Sequence, residues 1–148
     1  MSAKDNISIE VTQRSEFSCS YIMKSGNYYS LNSINYKFEA TVSGSNENGS
    51  GILISFEEFK RLLKEMLPDG YFIYNSRDIK QQALCREFQS CGIPTKGFKF
   101  EICAERLLEE LSLILMKDLE QKYEYVTLKE TKLRENNNSY VSWNQEVK

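Results

Sequence analysis

Between Tyr36 and Val42 every second residue is apolar, which puts Tyr36, Phe38, Ala40 and Val42 on one face of an extended chain and Lys37, Glu39 and Thr41 on the other. A period of two cannot make the stripe of a helix, so the segment commits the chain to a sheet with one buried and one polar face. Residues 7–13 alternate in the same way, and Phe17-Ser18-Cys19-Ser20-Tyr21-Ile22 extends them into a first strand, with Lys24-Ser25-Gly26-Asn27 as a turn behind it. After the turn-rich residues 43–51, Ile52-Leu53-Ile54 resumes the extended pattern, so an antiparallel hairpin of 36–42 with 52–54 is expected.

Ser55 and Glu58 form a capping box ahead of a stripe of Phe56, Phe59, Leu62, Leu63 and Met66. This helix ends at Leu67, because Pro68 disfavours helical geometry in the residue before it. Residues 101–120 predict a second helix, with Ile102, Leu107, Leu108, Leu111 and Leu115 on one broad face. Between the helices, 71–74 reads as extended, 77–90 as a short helix, and 92–97 as a break rich in Gly and Pro. Residues 123–131 are β-rich, Tyr140-Val141-Ser142-Trp143 closes the fold, and 144–148 read as a tail. The order is α+β: a four-stranded antiparallel sheet with two helices packed on one face, in a single domain over residues 1–143.

Composition narrows function. With 41% apolar and 12% aromatic residues in 148, the chain has enough ring and aliphatic surface for one core. Its net charge of −2 supplies no field for nucleic acid or an anionic membrane, so neither is an expected partner. The longest apolar run, residues 111–116, is far too short to span a bilayer, and the first residues lack a signal-peptide apolar region, so a cytoplasmic protein is expected. Cys19, Cys85, Cys91 and Cys103 show no CxxC spacing and read as free thiols. The chain has no histidine. That removes the commonest metal ligand, the usual general base near neutral pH and the usual activator of a Ser or Cys nucleophile.

Six short motifs occur in order: FSCSY at 17–21, NSINY at 32–36, GILISFEEFK at 51–60, Pro68-Asp69, Glu101 ahead of the second helix, and KET at 129–131. In order and spacing the chain resembles the 6-pyruvoyltetrahydropterin synthase and 6-carboxytetrahydropterin synthase family from about residue 8 to residue 142. The resemblance implies a T-fold, in which subunits close a barrel between them, as a homo-oligomer of trimer or hexamer size with the active site between subunits.

The departures from the family carry most of the functional reading. The family's FSAxH stands here as Phe17-Ser18-Cys19-Ser20-Tyr21 and its HGHNY as Asn32-Ser33-Ile34-Asn35-Tyr36, so the resemblance places the three zinc histidines at Tyr21, Asn32 and Ile34. Isoleucine has no donor atom, and a neutral phenol or amide is a poor zinc ligand. The stretch 27–31, where the family's nucleophilic cysteine falls, has none, and the family's Asp-His pair corresponds to Asp69-Gly70. Glu101 matches the glutamate of the family's PTxEN motif, and Glu130 with Thr131 the terminal ExT pair; in the family these acids hold the pterin ring. A carboxylate offers two acceptors to the 2-amino and ring N–H donors of a pterin or guanine edge, each charge-assisted bond being worth ~1.5–3 kcal/mol.

The expectation is a metal-free protein with no cofactor that binds a pterin- or purine-like heterocycle through Glu130, Thr131 and Glu101 without the standard synthase activity. Two alternatives stand beside it: an assembly or regulatory subunit with no small ligand, and a metal-independent enzyme on a pterin that moves protons with Asp69, Lys96 or Lys99. Each candidate also has a plain structural reading. Glu130 suits a solvent-facing strand position, Glu101 the first turn of a helix, Asp69 a turn after proline, and Tyr28, Tyr29 and Tyr36 a core.

Overall fold

The computed structural model describes residues 8–45 and 53–145. Two strands of 18 residues, β1 (Ser8–Ser25) and β2 (Tyr28–Ser45), pair without interruption from Ser8 opposite Ser45 to Ser25 opposite Tyr28. Gly26 and Asn27 close the hairpin, and Gly26 at φ +61° supplies the left-handed first position of a type II′ turn. Then follow α1 (Phe56–Met66), β3 (Tyr71–Asn75), α2 (Ile79–Ser90), β4 (Thr95–Phe98), α3 (Ala104–Lys122), β5 (Thr127–Arg134) and β6 (Tyr140–Asn144). The strands form a six-stranded sheet in the order β4-β3-β1-β2-β5-β6. It is mixed, because β3 lies parallel to β1 and β4 parallel to β3.

This corrects the expected four-stranded antiparallel sheet with two helices on one face. The partner of 36–42 is β1, since the tight Gly26 turn lays the two alternating segments side by side along their whole length. Leu53 and Ile54 lie in no strand and lead into α1, and Ile52 lies outside the described residues. The middle segment contributes β3-α2-β4, a crossover unit in which a helix returns the chain to a parallel neighbour. Asn144, expected in the tail, is the last residue of β6.

Alternation sorts the two faces. Phe17, Cys19 and Tyr21 of β1, Tyr36, Phe38, Ala40 and Val42 of β2, Ile73 of β3 and Leu128 and Leu133 of β5 join Phe59, Leu63, Leu107, Leu111 and Leu115 in the main core. Helices α1 and α3 therefore cover one face. Ile22 and Phe72 point the other way and meet Cys85, Leu84 and Phe88 of α2 in a second, smaller cluster. Phe72 packs edge-on against Phe88 with ring centroids 4.6 Å apart. Helix α2 thus covers the β3 end of the opposite face, which corrects the expectation of helices on one face only.

One half of the capping box forms, with Ser55 Oγ accepting the Glu58 N–H at 3.1 Å, while the Glu58 carboxylate accepts from the Tyr123 hydroxyl instead of the Ser55 N–H. Phe59, Leu62, Leu63 and Met66 are buried, but Phe56, at the first helical position, is 68% exposed. Helix α3 starts at Ala104, so Ile102 and Glu101 precede it. The flanking strands are staggered: β3 meets β1 at Cys19 and Ser20, and β5 meets β2 at residues 37–43. Residues 8–18 of β1 and 28–36 of β2 thereby each have one edge without a partner strand among the described residues.

Candidate functional site

Tyr21 stands directly opposite Asn32 in the hairpin, and Ile34 stands opposite Cys19. The three positions therefore share one patch on the α1/α3 face, as a three-ligand site requires, but they present a phenol, an amide and an alkyl group. Burial first, then Glu135, Cys19 and Cys103, raise the Tyr21 pKa above its ordinary value. Burial first, and Asp69 second, push the Cys19 thiol up to about 12. Tyr36 is likewise raised, by burial before Tyr21, Cys19, Glu135 and Cys103. Thiol and phenols thus stay protonated at neutral pH, whereas zinc takes thiolate, imidazole or carboxylate. The residues present do not fit a zinc ion, and no group of three or more Cys, Asp or Glu among the described residues could hold one.

The raised Cys19 value fixes a sign for stability against pH. The folded thiol holds its proton more tightly than the unfolded one, so its stabilisation is full below the ordinary thiol value of 9.0 and is lost as pH rises toward about 12. At about pH 10.5 the loss from this group is roughly 2 kcal/mol, at about 1.4 kcal/mol per unit. Urea unfolding at pH 7.5 and 10.5 is expected to show that extra loss in the wild type and not in Cys19→Ala. Equal losses in the two proteins would refute it.

Asp69 belongs to the turn between α1 and β3. Its Oδ1 accepts the Ser18 N–H at 2.8 Å, and the Gly70 N–H donates to the Ser18 carbonyl at 2.7 Å, so two bonds stitch the turn to β1. Gly70 has φ +78°, a conformation that costs residues bearing a Cβ roughly 1–2 kcal/mol. The backbone itself thus favours glycine where the resemblance puts a histidine. Asp69 also lines a cavity of about 480 Å³ with Glu16, Asn35, Lys37 and Glu135.

Glu101 is held more firmly than its sequence context suggests. Asn75 Nδ2 donates to its Oε1 at 2.6 Å, and Gln81 Nε2 donates to its Oε2 at 3.4 Å. The two amides are locked in turn: the Asn75 N–H donates to Gln81 Oε1 at 2.9 Å, and the Arg77 N–H to Asn75 Oδ1 at 3.0 Å. Asn75 and Gln81 are both buried. Glu105, not Glu101, is the acid in the first turn of α3, so the helix-dipole reading of Glu101 falls away. Glu101 lines an open cleft of about 870 Å³ between the hairpin tip and the start of α2, with Ile22, Lys24, Tyr29, Arg77 and Lys80. Asn75 and Gln81 carried no signal in the sequence; the end of a strand and the first turn of a helix meet at Glu101 only after β3-α2-β4 has folded.

Glu130 lies on the sheet face away from α3, opposite Thr41 and Asn144, with Lys132 Nζ 3.4 Å from its carboxylate and 31% of its side chain exposed. Its neighbour Thr131 points the other way and is fully buried, its Oγ1 2.5 Å from Ser112 Oγ, which donates to the Leu108 carbonyl. Thr131 ties α3 to β5. Because β1 and β2 separate the β3 flank from the β5 flank, one chain does not bring Glu101 and Glu130 together. Lys96 lies over the Phe98 ring at 5.7 Å, Tyr36 is core, and Tyr28 and Tyr29 are exposed.

A hairpin-centred mixed sheet with two helices across one face, carrying altered motifs at these positions, defines an α+β protein of the T-fold class. The family model of 6-pyruvoyl tetrahydropterin synthase matches residues 10–146, and the chain belongs to that family. Solved structures share the fold at low identity. An uncharacterized protein from Wolinella succinogenes superposes with a TM-score of 0.72 at 15% identity, covering 95% of this chain and 100% of that one. The 6-pyruvoyl tetrahydropterin synthase of Plasmodium falciparum gives 0.65 at 15% identity over 96% of this chain and 100% of that one. The Plasmodium vivax enzyme gives 0.69 at 12% identity, with coverage of 96% and 100%. No curated protein matches the chain in sequence.

Proposed function

We propose that this chain is a metal-free member of its family that binds a pterin- or purine-like heterocycle through carboxylates and does not carry out the standard synthase reaction. The observation that carries this reading is the clamped Glu101, whose two oxygens each accept a bond from a buried amide and so aim their remaining lone pairs. A carboxylate fixed in that way is pre-organised for the paired N–H donors of a ring edge. Glu130 is the second anchor. Since one chain holds the two acids on opposite flanks of the hairpin, a ring that touches both is shared between two copies. The unpaired edges of β1 and β2 support such assembly, because exposed strand edges recruit further strands. A trimer or hexamer is the assembly this reading takes.

Calorimetry against guanine and neopterin tests the reading. Glu130→Gln keeps the shape but turns one acceptor into a donor that opposes the ring's own N–H. The expected result is ring binding by the wild type and a loss of ~2–4 kcal/mol in the variant, with folding stability changed by less than about 0.5 kcal/mol. Equal ring affinity in both proteins would remove Glu130 from the site. A folded wild type that binds no ring at all would favour an assembly subunit without a small ligand.

A further inference from the structure

A cavity of about 390 Å³ opens where the start of α3 meets the turn between β5 and β6. Glu105, from the first turn of α3, and Glu135, the residue after β5, both line it, and no Lys or Arg does. Tyr36 is a third wall. It is 4% exposed, and its ring is held against Phe17 with centroids 5.5 Å apart. Its hydroxyl bonds to no described residue, yet the one sealed side-chain polar atom without a partner among the described residues is Glu39 Oε2. The Tyr36 hydroxyl therefore opens into the cavity that its residue lines. A second cavity of about 480 Å³ shares Tyr36 and Glu135 and adds Glu16, Lys37 and Asp69. Lys37 pairs there with Glu16 at 3.9 Å. Asp69 gives one oxygen to the Ser18 N–H, and its other oxygen bonds to no described residue. The two cavities thus meet at Tyr36 and Glu135, with Glu105 lining only the first and Asp69 only the second.

We propose that the joined cavities bind a small aliphatic diamine, one ammonium group held by Glu105, Glu135 and the Tyr36 hydroxyl and the other by Asp69, with the carbon chain against Leu133 and Val141. An ammonium group carries three N–H donors and no acceptor, which matches two carboxylates and a hydroxyl oxygen. Leu133 and Val141 supply apolar wall beside those acids, and a carboxylate next to low-dielectric wall attracts a cation more strongly than one in open water. A bare divalent ion fits less well. It gathers six or more oxygens at about 2.0–2.6 Å, and no group of three or more acids among the described residues could hold one. The site is separate from the positions discussed above, because none of Tyr21, Asn32, Ile34, Glu101 and Glu130 lines either cavity.

Titration calorimetry at about 0.1 M salt, with putrescine, n-butylamine and the neutral diol of the same length, tests it. The expected result is saturable binding of putrescine at one site per chain, tighter than n-butylamine by about tenfold or more, and no binding of the diol. Glu135→Gln, which alters both cavities, is expected to weaken putrescine by about tenfold or more. Tyr36→Phe keeps the ring against Phe17 and removes only the hydroxyl, and is expected to weaken it by about threefold or more. Glu120→Gln, toward the other end of α3, leaves it unchanged. Absence of saturable binding, equal affinity for n-butylamine or the diol, unchanged binding in either cavity variant, or equal weakening by Glu120→Gln would each overturn the proposal. Glu135 is exposed, and circular dichroism verifies that both cavity variants fold. None of the probes carries a pterin edge, so failure here leaves the heterocycle reading standing, and failure with guanine and neopterin leaves this one standing.

Discussion

Replacing Tyr21, Asn32 and Ile34 together with histidine is expected to convert a chain that holds no stoichiometric zinc into one that holds about one zinc ion. The backbone is already arranged for it: Tyr21 and Asn32 are direct cross-strand partners, and Ile34 is two residues along β2 on the same face. Side chains so placed are about 5–7 Å apart at Cβ, within reach of one tetrahedral ion. What is missing is donor chemistry, since a buried phenol with a raised pKa, an amide and an alkyl group stand where imidazoles are needed. Elemental analysis after dialysis against metal-free buffer checks both halves. Stoichiometric zinc in the wild type would contradict the donor argument, and a folded triple variant without zinc would contradict the geometric one. No turnover is expected from the variant, because residues 27–31 contain no cysteine and the resemblance places the family's histidine at Gly70.

The second large effect is on folding. Phe38 is completely buried on β2, between Ser15 of β1 and Leu133 of β5. Phe38→Ala removes the ring and leaves a cavity that the central strand cannot collapse into, at a cost of about 3–5 kcal/mol. Against a total stability of roughly 5–15 kcal/mol for a domain of this kind, that is a large share of the whole. The melting temperature is expected to fall by about 10 °C, at roughly 2–4 °C per kcal/mol. Lys37→Ala, one residue away on the solvent face and paired among the described residues only with exposed Glu16, is expected to change stability by less than about 1 kcal/mol. Comparable losses in the two variants would mean that the alternation does not separate core from surface here.

That pair of variants also marks what the amino-acid order makes legible. The face of each residue from 36 to 42 follows from a period of two, which is a property of the extended backbone and needs no partner to be read. The Ser55 cap and the stop at Pro68 are equally local, involving residues within three or four positions of each other. The absent zinc donors are legible for a different reason: an isoleucine or an asparagine has the same donor chemistry wherever the fold puts it.

Strand partnership was not legible in this way. Residues 36–42 carry a pattern that pairs equally well with 7–13 or with 52–54, and the choice rests on the Gly26 turn and on burial along all of β1. The parallel strands β3 and β4, and α2 on the far face, depend on where a crossover returns the chain. Thr131 and Glu130 are adjacent in sequence, yet one ties α3 to the sheet and the other faces away from it. The clamp on Glu101 joins side chains 26 and 20 positions apart, and the cavity walled by Tyr36, Glu105 and Glu135 draws on three separate parts of the chain. Local order therefore settled which residues face inward and which metal donors are gone. Which strands pair, and which distant amides and carboxylates meet, was set by closure of the tertiary fold, because the free energy of those contacts exists only once packing has brought the segments together.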